Sequence, residues 1–388
     1  MRKVYLDANA TTRAHPEVIE AMLPFYDKMY GNASSVHAFG REARKHLEES
    51  REKVAALIGA GSPEEIVFTS GGTESDNFAI KGTAAALKDK GNHIITSEVE
   101  HHAVLNTCKY LEGKGFRVTY LGVDRYGIVD TDELRRSITD ETILITIMAA
   151  NNETGTIMPL EEIGSVAAEK GVVFHTDAVQ LIGKVPFDVK RSGAQLVSMS
   201  AHKINGPKGV GALYIRNGTE IDPCQHGGHH ENGKRAGTED IPAIVGFGKT
   251  CEIALKHGLE HYAGVKRLRD MLHDRISSGI KQVRLNGHPE KRLPSTLNVS
   301  FDYLEGEAII LSLDLEGIAV STGSACTSGS LEPSHVLKSM GLEQVFAQGA
   351  VRFSLDIFNT RDDMDYVMEK LPPIIDRLRK ISPIYRED

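Results

Sequence analysis

The sequence holds 388 residues, 40% of them hydrophobic and 25% charged, with a formal net charge of −8. A chain of this length is expected to form two domains, and an acidic balance with no basic tract argues against nucleic acid as the main partner. The longest apolar runs, such as residues 143–150, fall far short of the ~20 residues that span a bilayer, so no membrane is expected.

The start, MRKVYLDANATT, has no apolar core of a secretory signal. Four cysteines without regular spacing point to a reducing, cytoplasmic setting rather than a disulfide framework. Residues 1–14 read as extended and end in a polar loop. Residues 16–26 read as a helix with Pro16 in its first turn, and residues 40–58 as a second helix with one wet face. An alternation then begins. Strand-like apolar runs fall at 65–70, 93–97, 118–123, 143–150, 172–177, 196–200 and 211–215. Helical stretches lie between most of them, at 75–88, 103–113, 132–138 and 161–170. This α/β pattern implies a mostly parallel sheet with helices on both faces. Two long helices are expected at 243–257 and 262–280. From residue 297 onward, strands at 297–301, 319–322 and 351–355 alternate with helices at 306–315 and 362–381, a small α+β unit. The expected division is a large domain over 15–257 and a small one made of 1–14 and 258–388.

Several junctions carry residues suited to chemistry. In Ser200-Ala201-His202-Lys203 a lysine sits at the end of a buried strand, followed by tight-turn residues. There an amine loses its proton readily and can act as a Schiff-base nucleophile. Gly71-Gly72-Thr73 joins a strand to a helix, where free backbone N–H groups favour an anion; Thr73 with Asp76 also fits an ordinary helix cap. Asp177 ends a strand where open α/β sheets bind ligands, and it calls for a cationic partner if buried. It could equally cap the next structure. His101 can stack on a flat ring or carry protons, and Asn152 can hydrogen-bond a ring substituent or simply hold a turn. Cys326 lies among small polar residues, as reactive thiols do, whereas Cys108 and Cys251 read as core or helix-face residues. His226, His229 and His230 offer ligand types for a metal, but their spacing matches no closed zinc pattern. An anion turn, a carboxylate, a stacking histidine and a lysine at successive strand ends together match the needs of pyridoxal phosphate.

With these motifs in view, the chain resembles the pyridoxal-phosphate cysteine desulfurases of the NifS/IscS family, within the class V aminotransferases. The resemblance runs through YLDANATT, TSGGTESDN, EHHAVL, NNETGT, HTDAVQ, SAHKINGPKGVGALYIR, HGGHHENGKRAGT and STGSACTSGSLEPSHVL. It implies the fold type I of pyridoxal-phosphate-dependent transferases, with a mainly parallel seven-stranded sheet, a small domain from both chain ends, and a homodimer. By position Lys203 corresponds to the cofactor-bound lysine, Asp177 to the ring-nitrogen partner, Gln180 to the ring-hydroxyl partner and His101 to the stacking histidine. Gly72, Thr73, Ser200, Ala201 and His202 correspond to cofactor contacts. Thr238 corresponds to a phosphate ligand reaching across from the other subunit, and Asn152 to a contact of cofactor and substrate. Arg352 corresponds to the clamp on the substrate carboxylate, and Cys326 to the thiol that takes sulfur from L-cysteine as a persulfide, with a transient iron–sulfur contact in view. The implied activity supplies sulfur to an iron–sulfur scaffold protein or another acceptor; selenocysteine lyase or another class V enzyme is the alternative. The chain departs from the common pattern at Ala201, Asn205 and His229-His230. Its end at Asp388, short of the tail carried by housekeeping relatives, slightly favours a nitrogen-fixation-type or generalist member.

Overall fold

The structure, a computed structural model, describes residues 2–322, 333–383 and 385. Its strands in chain order are β1 (Val4–Tyr5), β2 (Ile66–Thr69), β3 (His93–Ser97), β4 (Arg117–Leu121), β5 (Thr142–Thr146), β6 (Val173–Asp177), β7 (Leu196–Ser200), β8 (Gly211–Ile215), β9 (Val283–Asn286), β10 (Thr296–Phe301), β11 (Ile318–Ala319) and β12 (Ala350–Ser354). Seven of them form one sheet in the order β2-β8-β7-β6-β5-β3-β4. β8 pairs antiparallel with both neighbours, and the other pairings are parallel. The order reverses between β3 and β5, which opens a crevice at the carboxyl ends of the parallel strands.

The strand sequences explain why the sheet is covered on both sides. Buried residues alternate between two faces, as period-two geometry requires. Phe68, Ile95, Ile145 and Phe174 join Leu47, Val54 and Ile58 of the helix Ala38–Ile58 in one core. Ile94 and Leu144 join Ile80 and Val104 on the other face, where Val67, Leu196 and Leu213 pack with Phe78. The remaining strands form two small sheets. β12, β10 and β9 are antiparallel in that order, and β1 pairs in parallel with β11. A separate core lies there, built from Leu297, Val299 and Phe353 with Leu371 and Ile375 of the helix Arg361–Ile381.

The two long helices expected at 243–257 and 262–280 are one helix, Ile241–Gly279, of 39 residues. Gly258, between the expected pieces, is not a break. A Cβ there would lie 3.2 Å from the Gly183 carbonyl oxygen, so its glycine permits close packing. The helix serves both cores: Ile244, Phe247 and Cys251 belong to the first, and Tyr262, Leu272 and Ile276 to the second. The expected helix at 16–26 is instead two, Pro16–Met22 and Pro24–Asp27. Pro24 lacks the N–H that would continue the first, and it opens the second. β9 had no counterpart in the expected elements. It is four residues long and only partly buried, too short for its apolar–polar alternation to stand out. Among the described residues no helix is long and apolar enough to cross a membrane.

Candidate active site

The loops that leave β2, β3, β5, β6 and β7 converge on one cavity of about 360 Å³. Its wall includes Gly72 and Thr73 after β2, His101 after β3, Asn152 after β5, Asp177 at the end of β6, and Ser200, His202 and Lys203 around the end of β7. Asn9 and Ala10 of the N-terminal segment, Gln180 and Arg352 complete it.

Lys203 stands on a single turn of 3₁₀ helix, Ala201–Lys203, that follows β7 directly. Its Nζ donates to the carbonyl oxygens of Asn9 (2.6 Å) and Ala10 (2.8 Å). Asp177 Oδ1 accepts the Val179 N–H at 3.0 Å. Burial raises the pKa of this carboxyl, while His101, the Val179 N–H and Lys203 oppose that rise. Asp76, on the helix Gly72–Ala86, is buried at the same cavity. Burial, then the Asp177 charge, push its carboxyl well above the usual range, and its Oδ1 has no hydrogen-bond partner among the described residues. Ligand atoms of Asp76, His101 and Asp177 all lie within 4.8 Å of one another.

His101 caps the helix His102–Glu112, with Nδ1 accepting the Ala103 N–H at 3.1 Å. A neutral imidazole whose Nδ1 accepts carries its proton on Nε2. Burial lowers the pKa of the ring; Asp177 works against this and Lys203 reinforces it. The cap therefore fixes one tautomer, an Nε2–H donor. His202 Nδ1 lies 3.1 Å from Thr11 Oγ1, and burial with nearby lysines lowers its pKa to about 4.

The anion-binding end of the cavity follows β2. Gly71 has φ +149°, and a Cβ on Gly211 would lie 2.7 Å from the Gly71 Cα, so two strands meet at a turn that only glycine fits. Gly71 caps the helix Gly72–Ala86 without a side-chain hydrogen bond. The expected Thr73–Asp76 cap is thus not the one used. Thr73, Ser200 and His202 also line an adjoining recess with Lys208.

Arg352, in the middle of β12, is 2% exposed. Nη1 donates to the Asn152 carbonyl oxygen (2.9 Å) and Nη2 to Asp7 Oδ1 (2.7 Å). Its Nε is buried without a partner among the described residues. Ala201 departs from expectation: it is fully buried in the core, its N–H donates to Val210 O at 3.2 Å, and it does not line the cavity. Thr238 is exposed and lies outside this cavity. His226, His229 and His230 form no metal-ligand group among the described residues. Cys326 lies outside the described residues, and with it both its nucleophile and its iron–sulfur expectations. Sequence reasoning assigned no role to Asp7, Asn9, Glu100 or Lys184, and read Asp76 only as part of a helix cap. Asp7 and Asn9 stand in the YLDANATT loop and Asp76 in TSGGTESDN; nothing in the pattern of Lys184 marks it.

A glycine turn, a buried carboxyl and a lysine at the strand ends of such a sheet define a class of enzyme. The aminotransferase class-V family model matches residues 4–367, and the chain belongs to that family. Within it, the chain is a member of the NifS/IscS cysteine desulfurases. It is 54% identical over 386 residues to the cysteine desulfurase IscS of Dictyoglomus turgidum, covering 100% of this chain and 98% of that protein. It is 52% identical to the cysteine desulfurase IscS of Methanosarcina thermophila, covering 99% and 94%. Among solved structures, a NifS-like protein superposes with a TM-score of 0.92 at 42% identity, covering 97% of this chain and 100% of that one. The protein SspA, solved in complex with cysteine, superposes with a TM-score of 0.82 at 36% identity over 92% and 100%.

Proposed function

We propose that this chain binds pyridoxal 5′-phosphate in the cavity and removes the sulfur of L-cysteine, releasing L-alanine and holding the sulfur as a persulfide on Cys326. The observation that carries this reading is the shared wall: the Lys203 amine, the Asp177 carboxyl and the His101 ring line one cavity. The donor set suits the cofactor. A buried carboxyl needs a cationic partner, and a protonated ring nitrogen is one. The Gly72–Thr73 turn at a helix N-terminus, with Ser200 and His202 beside it, suits a phosphate. Gln180 would meet the ring hydroxyl, and Asn152 would contact cofactor and substrate. Thr238 is assigned to the phosphate of a second copy in a homodimer, and the division into 15–257 and 1–14 with 258–388 is part of the same reading.

When bound, the cofactor supplies an aldehyde that condenses with amines and a ring that takes up electrons from the substrate carbon. Lys203 takes the proton from the substrate Cα. Arg352 holds the substrate carboxylate, since its forked N–H groups match two carboxylate oxygens and its buried Nε has spare donor capacity. His101, with its proton on Nε2, acts as donor beside the sulfur. The Cys326 thiolate attacks the substrate sulfur. The S–S bond forms as the C–S bond breaks, and the three-carbon fragment takes up one proton on Cβ and regains one on Cα from Lys203 to leave as alanine. An iron–sulfur scaffold protein or another thiol acceptor then receives the sulfur, with the iron as cargo that Cys326 contacts in transit.

The test is direct. Protein incubated with the cofactor is expected to gain visible absorbance, and brief exposure to L-cysteine is expected to add one sulfur atom to Cys326 by mass spectrometry, with alanine formed. Protein that stays colourless, or that forms alanine with no sulfur on Cys326, contradicts the reading.

A further inference from the structure

We propose that Lys184 is a positioning residue: it holds the Gln180 amide with its N–H side toward the cavity, so this wall accepts only a ligand oxygen that takes a hydrogen bond. The inference rests on the reading of the cavity as a pyridoxal-phosphate site and adds the residue that sets the polarity of one wall.

Lys184 is 4% exposed and makes no ion pair among the described residues, Asp356 acting on it only at longer range. Burying an unpaired amine is costly, and packing alone would be served by an apolar side chain. Its Nζ donates to Gln180 Oε1 at 3.0 Å, and Gln180 Nε2 donates to the Asn9 carbonyl oxygen at 2.9 Å. The same carbonyl receives Lys203 Nζ at 2.6 Å. Lys184, Gln180 and Lys203 therefore meet in one hydrogen-bonded run along the cavity wall.

The chemistry of the amide fixes its orientation. A primary amide has one carbonyl oxygen and two N–H groups. The oxygen faces an amine and one N–H faces a carbonyl. A flipped amide would set its oxygen against the Asn9 oxygen and its NH₂ against the Lys184 amine, two mismatches at once. With Oε1 turned to Lys184 and one N–H given to Asn9, the second N–H is the donor the amide can turn toward the cavity it lines. Lys184 thus decides what Gln180 can recognise.

The surroundings of the amine fit a group that charges when an anionic ligand arrives. Burial, then Lys203 and Arg352, lower its pKa to about 7, while Asp356 opposes them. A ligand oxygen bearing negative charge against Gln180 would favour the ammonium. A positive charge behind Gln180 in turn opposes protonation of the bound cofactor.

Protein saturated with pyridoxal 5′-phosphate is titrated by its visible absorbance. Lys184→Met is expected to move the midpoint up by about one pH unit, whereas Lys184→Arg, which keeps donor and charge, should stay within a few tenths of the original. An unchanged midpoint in Lys184→Met, or an equal shift in both variants, overturns the proposal. Should Lys184→Met fail to fold, Gln180→Leu carries the same test: it must shift the midpoint upward too, and no shift is a refutation. The pair is also tested without cofactor, which separates it from the reading of the cavity. In cofactor-free protein the Lys184 amine, followed by NMR, should titrate near pH 7 and move on Gln180→Leu. Titration in the ordinary lysine range, unaffected by that substitution, overturns the positioning role even if the cofactor binds.

Discussion

The two cations that reach the cavity come from different sheets and are held differently. Lys203 extends from the end of β7 in the large sheet and donates to the neutral carbonyls of Asn9 and Ala10. Arg352 projects from the middle of β12 in the small antiparallel sheet and is paired with the Asp7 carboxylate. The planar fork of Arg352 is thereby matched to a carboxylate, while these contacts of Lys203 are to carbonyl oxygens. Both holders belong to the same short N-terminal run. Asn9 ties it to the small unit as well, because its N–H donates to Ser354 Oγ and its Nδ2 to Thr296 Oγ1. The segment therefore sets the separation between the two cations.

The contrast is broken most sharply at the lysine. In the proposed reaction Lys203→Ala removes the group that takes the substrate proton, and sulfur release is expected to fall by about 10³-fold or more while the fold persists. Turnover within tenfold of the original would place the reacting amine elsewhere. At the other cation, Arg352→Lys keeps the charge and loses the planar fork. KM for L-cysteine is expected to rise about 10- to 100-fold, with a smaller change in kcat. A variant that loses kcat at constant KM would make Arg352 part of the chemistry rather than of binding.

Asp7→Asn sharpens the same comparison from the protein's side. The variant keeps an acceptor for Nη2 but leaves the buried guanidinium without its counter-charge. We expect a loss of about 2–3 kcal/mol in unfolding free energy, partly restored by saturating L-alanine, whose carboxylate can take the vacant charge. Stability equal to the original, with no effect of L-alanine, would show that the Asp7 pairing contributes nothing there.

Much of this arrangement is legible in the sequence because parallel buried strands announce themselves. Runs such as residues 143–150 are largely apolar and end in polar turns, so the groups at the carboxyl ends of such strands, Lys203 and Asp177 among them, can be assigned to one edge in advance. The supporting layer is not legible. Asp76 lies within a helix, and nothing around Glu100 or Lys184 in the chain marks either for a role. Each acquires its meaning only when the crossing of distant segments buries it. Gly258 misleads for the same reason: its neighbour in space, Gly183, is far away in the chain.

The smallest of these effects concerns the wall that holds His101. Glu100 precedes it and is fully buried. Its Oε1 accepts from Ser97 Oγ (2.6 Å) and the Met148 N–H (2.9 Å), and Oε2 has no partner among the described residues. Burial pushes the carboxyl up to about 8, against the pull of those two hydrogen bonds and with a further push from Asp177. A folded pKa above the ordinary carboxylate range means that the native state binds this proton more tightly than the unfolded chain does. The associated stability is complete below the ordinary carboxylate range and is lost as pH rises through about 8. Glu100→Gln preserves an acceptor for Ser97 and Met148 and cannot ionise. Between pH 7 and pH 9 the original protein should therefore lose about 1–2 kcal/mol more than the variant, read from denaturant unfolding of both. Unfolding curves that shift in parallel across that interval would mean that the native Glu100 carboxyl does not titrate between pH 7 and pH 9.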